Sequence, residues 1–268
     1  MAEISAALVK ELRQATGAGM MDCKRALEET GGDLEAARTL LREKGMAQAG
    51  KRAGRETTEG KVAVRVASGL GTLVAIGCET EPVSNNDEFL AYVQRVLDAV
   101  ERDGEQAVEA LDGERVDLVA KLGENIVVVG AKRMEARDGE LLAHYVHPPA
   151  NKIGVLVKVR GEDEAAARML AMHISFGAPT WARRDDVPDE IVEAERNVYL
   201  NSDELQGKPE QAREKIVEGM LNKRFFAAQP GGVLLDQPYI HDTGKSVAEA
   251  LRESGLELVE FQRYSVAG

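Results

Sequence analysis

CETEPVSNNDEF, residues 78–89, lies where a strand pattern ends and a helix pattern begins. The run before it, residues 72–77, is apolar and β-branched, which predicts a buried strand. After it, apolar residues recur at helical spacing and predict a helix over about residues 84–102. Strand-to-helix turns are places where a rigid scaffold presents exposed side chains, here those of Glu79, Glu81 and Pro82. The pattern alone leaves two interpretations open: a solvated acidic turn, or a functional turn.

Composition excludes several classes of protein. The chain has 268 residues, 44% of them hydrophobic and 30% charged, which is typical of a globular protein with two or three compact units. A net charge of -12 and an aromatic content of 4% argue against direct binding of nucleic acid. No apolar run approaches the ~18 residues of a membrane span, and no export signal precedes the first helix. With only Cys23 and Cys78, no disulfide framework is implied, so we expect a cytoplasmic protein without membrane contact.

Changes of periodicity divide the chain into segments. Residues 1–45 predict three short helices, and residues 46–59 predict a linker, although a frayed extension of the third helix fits that segment equally well. Two similar units follow, core subdomain N at 60–139 and core subdomain C at 140–268, each with a hairpin, helices and a closing strand. Two Pro-initiated helices form an antiparallel hairpin at 188–226, inserted in the second unit. The predicted fold class is α+β: a three-helix N-terminal domain, then a core of two hairpin-plus-helix α/β subdomains.

The strand partners are predicted from turn signals. Residues 62–66 and 72–77 alternate around a Ser-Gly-Leu-Gly turn and predict the first hairpin. The next strand, residues 125–133, precedes Arg-Asp-Gly-Glu at 137–140. Because Asp-Gly is a strong hairpin signal, we expect this strand to pair with residues 141–147.

The sequence offers reactive side chains but no arrangement that would use them. The candidate nucleophiles and bases are Cys23, Cys78, His144, His147, His173 and His241. No spacing pairs a cysteine with a histidine, and none matches a zinc site. Gly244-Lys245-Ser246 lacks the earlier glycine of a phosphate-binding loop and instead predicts a helix start. We therefore expect no enzyme activity, no metal site and no cofactor.

Three separated segments have side chains suited to contacts with another protein. Met20-Met21 follows a Gly-Ala-Gly turn and predicts an adaptable apolar surface at a helix start. The second segment is the turn at residues 81–86, and the third is the strand end and Pro-rich turn at residues 145–149. On an acidic chain without catalytic groups, these segments indicate an extended protein-binding module.

Motifs along nearly the whole chain resemble those of one family. The segment LRQATGAGMMDCKRAL, residues 12–27, resembles the N-terminal signature of the elongation factor Ts family. Further matches follow in order: 121–125 (KLGEN), His147 with 153–157, 172–174 with Pro179, 209–223 with 237–238, 245–247, and 261–266. The resemblance implies a ubiquitin-associated-like three-helix domain, a two-subdomain core and a protruding helical hairpin. It also implies guanine-nucleotide exchange on elongation factor Tu during translation elongation, without covalent catalysis.

The resemblance assigns roles by position. Arg13, Met20 and Met21 match the surface that grips the nucleotide-binding domain of elongation factor Tu, and His147 should face its third domain. Thr80-Glu81-Pro82-Val83 matches the family's Thr-Asp-Phe-Val, which displaces the magnesium ion of the partner. The implied partner states are the GDP-bound and nucleotide-free forms.

Two departures from the family and one rival function accompany this resemblance. Glu81-Pro82 replaces Asp-Phe, so the aromatic wedge is missing; a proline buries less surface but fixes its own φ. The extra C-terminal helix of some members has no counterpart before Gly268. The rival is a non-exchanging adaptor that binds partners through the three-helix domain alone.

Overall fold

The structure, a computed structural model, describes residues 4–266, with Gln48 described by its backbone only. Its helices are α1 (Ala6–Thr16), α2 (Met20–Glu29), α3 (Leu34–Arg52), α4 (Glu81–Ser84), α5 (Asp87–Asp103), α6 (Ala107–Ala110), α7 (Asp112–Leu122), α8 (Glu164–Gly177), α9 (Asp189–Leu200), α10 (Glu210–Met220) and α11 (Val247–Glu253). Its strands are β1 (Glu59–Ala67), β2 (Leu70–Cys78), β3 (Ile126–Glu135), β4 (Glu140–Val146), β5 (Ile153–Arg160), β6 (Pro238–Tyr239), β7 (Asp242–Ser246) and β8 (Glu257–Ser265). Within residues 4–266, every helix is too short or too polar to cross a bilayer.

The N-terminal helices α1, α2 and α3 form a small core of their own. Leu12, Cys23 and Leu27 are fully buried between them. The Ser5 hydroxyl caps α1 by accepting a hydrogen bond from Leu8 N, and Gly17 ends the helix in the left-handed conformation. Local capping signals therefore set the limits of this helix.

Helix α3 corrects the predicted linker over its first seven residues. It does not end at Gly45 but continues to Arg52, so the helical alternative for this segment is the right one up to that residue. The reason is helix packing: a Cβ at Gly45 would lie 2.7 Å from Ala120 Cβ on α7. Glycine permits this close approach, and Ala49, one turn later, is buried in the hydrophobic cluster beneath α5. Helix α3 therefore belongs to both the N-terminal helices and the core.

The core contains two antiparallel three-stranded sheets, with strand orders β1-β2-β3 and β4-β5-β8. The predicted pairing of residues 125–133 with 141–147 is wrong, because β3 pairs with β2 and β4 pairs with β5. The Asp-Gly turn carries the chain from one sheet to the other. Its Gly139 has a φ of 77° and accepts a hydrogen bond from Gly161 N beyond the end of β5.

The two sheets pack face to face, with helices on their outer faces. Along β2, Val74 and Ile76 point toward α5 and α7, whereas Leu73 and Ala75 point toward the second sheet. On the second sheet, Leu156 packs into the same seam. The side chains on the opposite face of that sheet contact α8 and α11; those from β5 are Val155, Val157 and Val159. Because successive side chains of a strand point to opposite faces, each central strand contributes alternate residues to two different hydrophobic cores.

A helical hairpin of α9, α10 and a π-helix at Leu221–Phe226 is inserted between α8 and the last strands. It has a separate apolar cluster that includes Val217, Leu221 and Val233. Helix α9 ends at Leu200, earlier than expected, and a short 3-10 turn at Asp203–Leu205 completes the first arm. With the N-terminal helices, the two antiparallel sheets and this hairpin, the predicted α+β fold class is confirmed.

Candidate functional site

The predicted functional turn lies between the end of β2 and the start of α5. Residues 81–84 form the short helix α4, and Asn86 then caps α5, its side chain accepting from Glu88 N at 2.9 Å. Thr80, Glu81 and Pro82 are exposed, whereas Val83 is half-buried against the core beneath α5. The 80–83 turn therefore presents three residues to solvent and is anchored by the fourth.

A carboxylate from the loop after α7 holds the start of this turn. Glu124 Oε2 accepts hydrogen bonds from Glu79 N at 3.1 Å and Thr80 N at 3.0 Å. Its other oxygen, Oε1, accepts from the Thr80 hydroxyl at 2.5 Å. Bonds from charged acceptors to backbone amides are stronger than neutral ones. Two such bonds, with the bond from the Thr80 hydroxyl, fix the backbone at the start of the turn on one half-buried carboxylate.

The Glu79 side chain also makes a hydrogen bond with the loop after α7. Its Oε1 accepts from Asn125 N at 2.7 Å, and its Oε2 accepts from Arg55 at 3.3 Å. The amide hydrogen bond from Asn125, and then Arg55, lower the pKa of the Glu79 carboxyl. Asn125 is buried, and its side-chain amide donates to Arg55 O at 2.8 Å. The turn, the 124–125 loop and the chain after α3 are thus tied together.

Cys78 closes β2 directly before this network. Its thiol is fully buried and donates to Thr80 O at 3.3 Å. Burial, with a contribution from the Glu124 charge, raises the pKa of the Cys78 thiol to about 12. A thiol that stays protonated at neutral pH is a poor nucleophile. Cys78 therefore supports the turn and has none of the properties of a reactive cysteine.

His147 lies in the turn between β4 and β5. Its ring is exposed, with Nδ1 3.2 Å from the Tyr145 hydroxyl. Its backbone is held on both sides, because His147 N donates to Ile153 O and its carbonyl accepts from Asn151 N. The side chain is consequently presented on an ordered backbone.

Strand registers bring the 80–83 turn and the His147 turn to one end of the sandwich. Glu59, which begins β1, lies opposite Cys78, and Cys78 lies opposite Ile126, where β3 begins. The same end of β1 contacts the His147 turn: Val62 N donates to Asn151 O at 2.7 Å. In addition, Lys152 and Glu59 form an ion pair at 2.5 Å. The two predicted contact segments therefore share one edge of the molecule.

The predicted residues of the N-terminal helices are connected to this end through Lys121. Met20 and Met21 begin α2 and are 47% and 62% exposed, and Arg13 is exposed in the last turn of α1. The Lys121 side chain lies over Gly17, where an added Cβ would be 2.1 Å from Lys121 Cε. Its ammonium pairs with Glu88 at 2.5 Å, in the first turn of α5. This contact runs from the Met20-Met21 turn to the helix that follows the 80–83 turn.

A second histidine, His173, belongs to the core and not to this site. His173 is fully buried; its Nε2 donates to Gln237 Oε1 at 2.9 Å, and its Nδ1 accepts from Ile240 N at 3.2 Å. Both ring nitrogens are thus used in the neutral form. Among residues 4–266, no group of three or more His, Cys, Asp or Glu side chains is placed to hold a metal ion.

Glu124 and Asn125 are the residues at this site that sequence reasoning did not single out, whereas Glu79, which was expected to be exposed, is half-buried and hydrogen-bonded to Asn125 N. Glu124 and Asn125 lie within the KLGEN motif, which carried the family resemblance without any role being assigned to it. They act on residues about 45 positions earlier, and no spacing pattern reveals such a contact. The available signal was the motif's position directly after a helix and before a buried strand.

Comparisons with known proteins agree with this architecture. A family model described as elongation factor TS matches residues 79–268. Elongation factor Ts of Idiomarina loihiensis is 42% identical over 273 residues, covering 98% of this chain and 91% of the relative. The Pasteurella multocida protein of the same name is 40% identical, with 99% and 93% covered. The Shewanella amazonensis protein is 42% identical, with 98% and 90% covered.

These matches cover the N-terminal helices, both sheets and the helical hairpin together. They define a protein of the translation elongation machinery. The chain belongs to the elongation factor Ts family.

Proposed function

We propose that this protein is the guanine-nucleotide exchange factor of elongation factor Tu. It binds elongation factor Tu in the GDP form, displaces the magnesium ion and promotes GDP release, so that GTP can bind the nucleotide-free form. The family supports this role, and the observation that carries it is the 80–83 turn, exposed on a backbone fixed by three hydrogen bonds to Glu124.

The proposal assigns one task to each contact segment. Arg13, Met20 and Met21 grip the nucleotide-binding domain of elongation factor Tu, and His147 with subdomain C contacts its third domain. Thr80-Glu81-Pro82-Val83 is the segment that disturbs the magnesium site. Their arrangement around one end of the sandwich supports a single continuous contact with the partner.

Magnesium displacement explains exchange without covalent chemistry. Magnesium and the phosphate-binding loop of a GTPase supply much of the electrostatic hold on bound nucleotide. A turn that disturbs this coordination weakens GDP binding without forming or breaking a bond. The buried, protonated Cys78 and the fully hydrogen-bonded His173 fit such a non-covalent role.

Thermodynamic linkage makes the factor reusable. If the factor weakens GDP binding by some ratio, GDP must weaken factor binding by the same ratio. Rebinding of nucleotide therefore releases the factor. We propose that it acts in the cytoplasm without a cofactor and without direct contact to nucleic acid or membrane, with subdomains at 60–139 and 140–268 sharing the partner's surface.

Stopped-flow release of fluorescent GDP from the cognate elongation factor Tu tests this function. At micromolar factor we expect GDP release to accelerate with factor concentration and then to saturate. Binding of the factor with an unchanged release rate would favour the non-exchanging adaptor. The full chain must be used, because α3 packs against α7 and a fragment ending near residue 50 would lose that support.

A further inference from the structure

The Glu124 carboxylate is hydrogen-bonded to the chain at the point where the 80–83 turn begins, directly after β2. All three of its hydrogen bonds are to Glu79 and Thr80, the two residues between β2 and α4. The next three residues, Glu81, Pro82 and Val83, are positioned by contacts that follow Thr80 in the chain: α4 itself, hydrogen bonds to Glu81 O from the Ser84 hydroxyl and the Asn85 side-chain amide, and the packing of Val83. The direction in which the turn projects therefore depends on how Glu124 holds Thr80.

The Thr80 hydroxyl is hydrogen-bonded to Glu124 and does not cap α4. Thr80 occupies the N-cap position of α4 with an extended backbone, φ -131° and ψ 154°. A threonine there ordinarily accepts a hydrogen bond from a helix amide. Its side chain makes no such bond and instead donates to Glu124 Oε1. The capping group has been directed away from the helix and toward the loop after α7.

The same loop is itself held from two other directions. Asn125 N donates to Glu79, and the Asn125 side chain donates to Arg55 O beyond α3. Arg52, at the end of α3, donates to Val119 O within α7. Glu124 therefore connects the turn to a loop supported by the N-terminal helix α3 and by the sheet.

We propose that Glu124 is a positioning residue for nucleotide exchange, fixing the angle at which the 80–83 turn meets the partner. This inference rests on the proposed exchange function. Glu124 contacts the turn from within the protein. Removal of its side chain should therefore leave intact the partner-binding residues Met20, Met21 and His147. The step it should affect is GDP release within the formed complex.

The test separates that step from binding. In the GDP-release assay, Glu124→Ala should lower the maximal release rate about tenfold. The reason is that the 80–83 turn would be misplaced relative to the nucleotide site even though the partner is still bound. The half-saturating factor concentration should stay within about twofold of the parent, since the gripping segments are unchanged. Glu124→Gln should recover most of the rate, because its carbonyl oxygen can accept both amides while its NH2 group donates to Thr80 Oγ.

Two further comparisons guard against a purely structural effect. Glu114→Ala, on the same helix-loop unit, removes an exposed carboxylate that pairs with Arg95 at 2.7 Å, and should leave both kinetic parameters unchanged. Thr80→Val removes only the hydroxyl bond at an exposed position and should lower the maximal rate about threefold, with Thr80→Ser close to the parent.

Amide hydrogen exchange of the free protein shows whether the turn has been released. We expect Glu79 and Thr80 amides to be protected in the parent and unprotected in Glu124→Ala. Loss of protection with a parental maximal rate would overturn the proposal, as would a change confined to the half-saturating concentration or an equal loss in Glu114→Ala. A parent that fails to accelerate GDP release would instead overturn the exchange function, and this inference with it.

Discussion

The two halves of the core have the same plan but place their polar networks differently. In each half a central strand leads into a helix on the outer face of its sheet, β2 into α5 and β5 into α8. In the second half this connection is short, and Asp163 caps α8 by accepting from Ala166 N at 2.9 Å. In the first half the connection contains an additional short helix, α4, and the Glu124 network.

The polar network of the second half lies in the interior. His173 on α8 contacts Gln237, and the Gln237 side-chain amide donates to three backbone carbonyls, those of Gly177, Ala228 and Gly231. Both side chains are fully buried. The network ties α8 to the irregular chain that follows the helical hairpin.

The comparison shows two uses of hydrogen-bonded side chains in one architecture. A network closed inside the protein satisfies irregular backbone and stabilises the fold. A network at the surface that orders an exposed turn contributes to presentation of that turn. Substitutions in the second half should therefore change stability, and substitutions in the first half should change exchange.

The largest expected effect is on stability, from Gln237→Ala. Removing this side chain takes a hydrogen bond from the carbonyls of Gly177, Ala228 and Gly231 and leaves the buried His173 Nε2 without its partner, which should lower the free energy of unfolding by about 3 kcal/mol. Urea unfolding measures the loss. Gln94→Ala, which removes an exposed amide bonded to Asp98 at 2.8 Å, is the matched control and should cost less than about 0.5 kcal/mol. A similar loss in both variants would contradict the distinction between interior and surface networks.

The second prediction concerns the pH dependence of stability. Burial lowers the pKa of His173 from its ordinary 6.5 to about 4; the bond to Gln237 opposes this shift, and nearby His241 adds to it. Between pH 6.5 and 4 the unfolded chain takes up a proton that the folded protein does not. The contribution of neutral His173 to the free energy of unfolding should therefore be fully present above pH 6.5. It should fall by about 2–3 kcal/mol as the pH decreases to 4.

Comparison with His173→Gln isolates this contribution, because glutamine can hydrogen-bond Gln237 and does not titrate. Unfolding free energies of both proteins should be measured from pH 7 to pH 4. We expect the parent to lose more stability over this interval than the variant. Parallel pH profiles would show that His173 does not resist protonation in the folded state.

Much of the fold could be predicted because it is determined locally. Strand alternation, proline at helix starts and capping residues such as Ser5 act over a few residues, and the sequence displays them. The mistakes arose where one local signal has two structural uses. Gly45 has the pattern of a helix end but allows α3 to pack on α7, and the Asp138-Gly139 turn joins two sheets instead of closing a hairpin.

The location of the candidate site could be predicted from the sequence. The residues that hold the turn in place could not. The change from strand to helix periodicity located the turn within residues 78–89, and the family resemblance narrowed it to residues 80–83. The residues that hold it, Glu124 and Asn125, act across more than forty positions of chain, through backbone amides that carry no sequence signature. Their side chains look like ordinary polar residues in a helix-to-strand loop until the register of β2 and β3 brings them together.

In the first half, Pro82 and Glu81 should change exchange with little effect on stability, because both side chains are exposed. Pro82→Phe restores an aromatic ring and should raise the maximal GDP-release rate about fivefold, since a planar ring buries more surface when inserted between helices. Glu81→Ala removes the carboxylate and should lower that rate about threefold. Stopped-flow GDP release measures both effects.

A proline at another exposed helix start provides the control for Pro82→Phe. Pro188 precedes α9, and Pro188→Phe should leave the maximal release rate at the parental value. If Pro82→Phe and Glu81→Ala both matched the parent, the 80–83 turn would not be the segment that disturbs the magnesium site. The difference between the halves would then be one of structure alone.

The smallest expected effect is that of His147, the exposed residue of the second half. His147→Ala should raise the half-saturating factor concentration about twofold and leave the maximal release rate unchanged, because a rim contact contributes modestly to affinity. The turn should keep its shape, since the bonds of His147 N and O to Ile153 and Asn151 are made by the backbone. His144→Ala, on the preceding strand β4, is the control and should change neither parameter. A lower maximal rate in His147→Ala would mean that both halves act on the nucleotide site, and that the second half does more than bind.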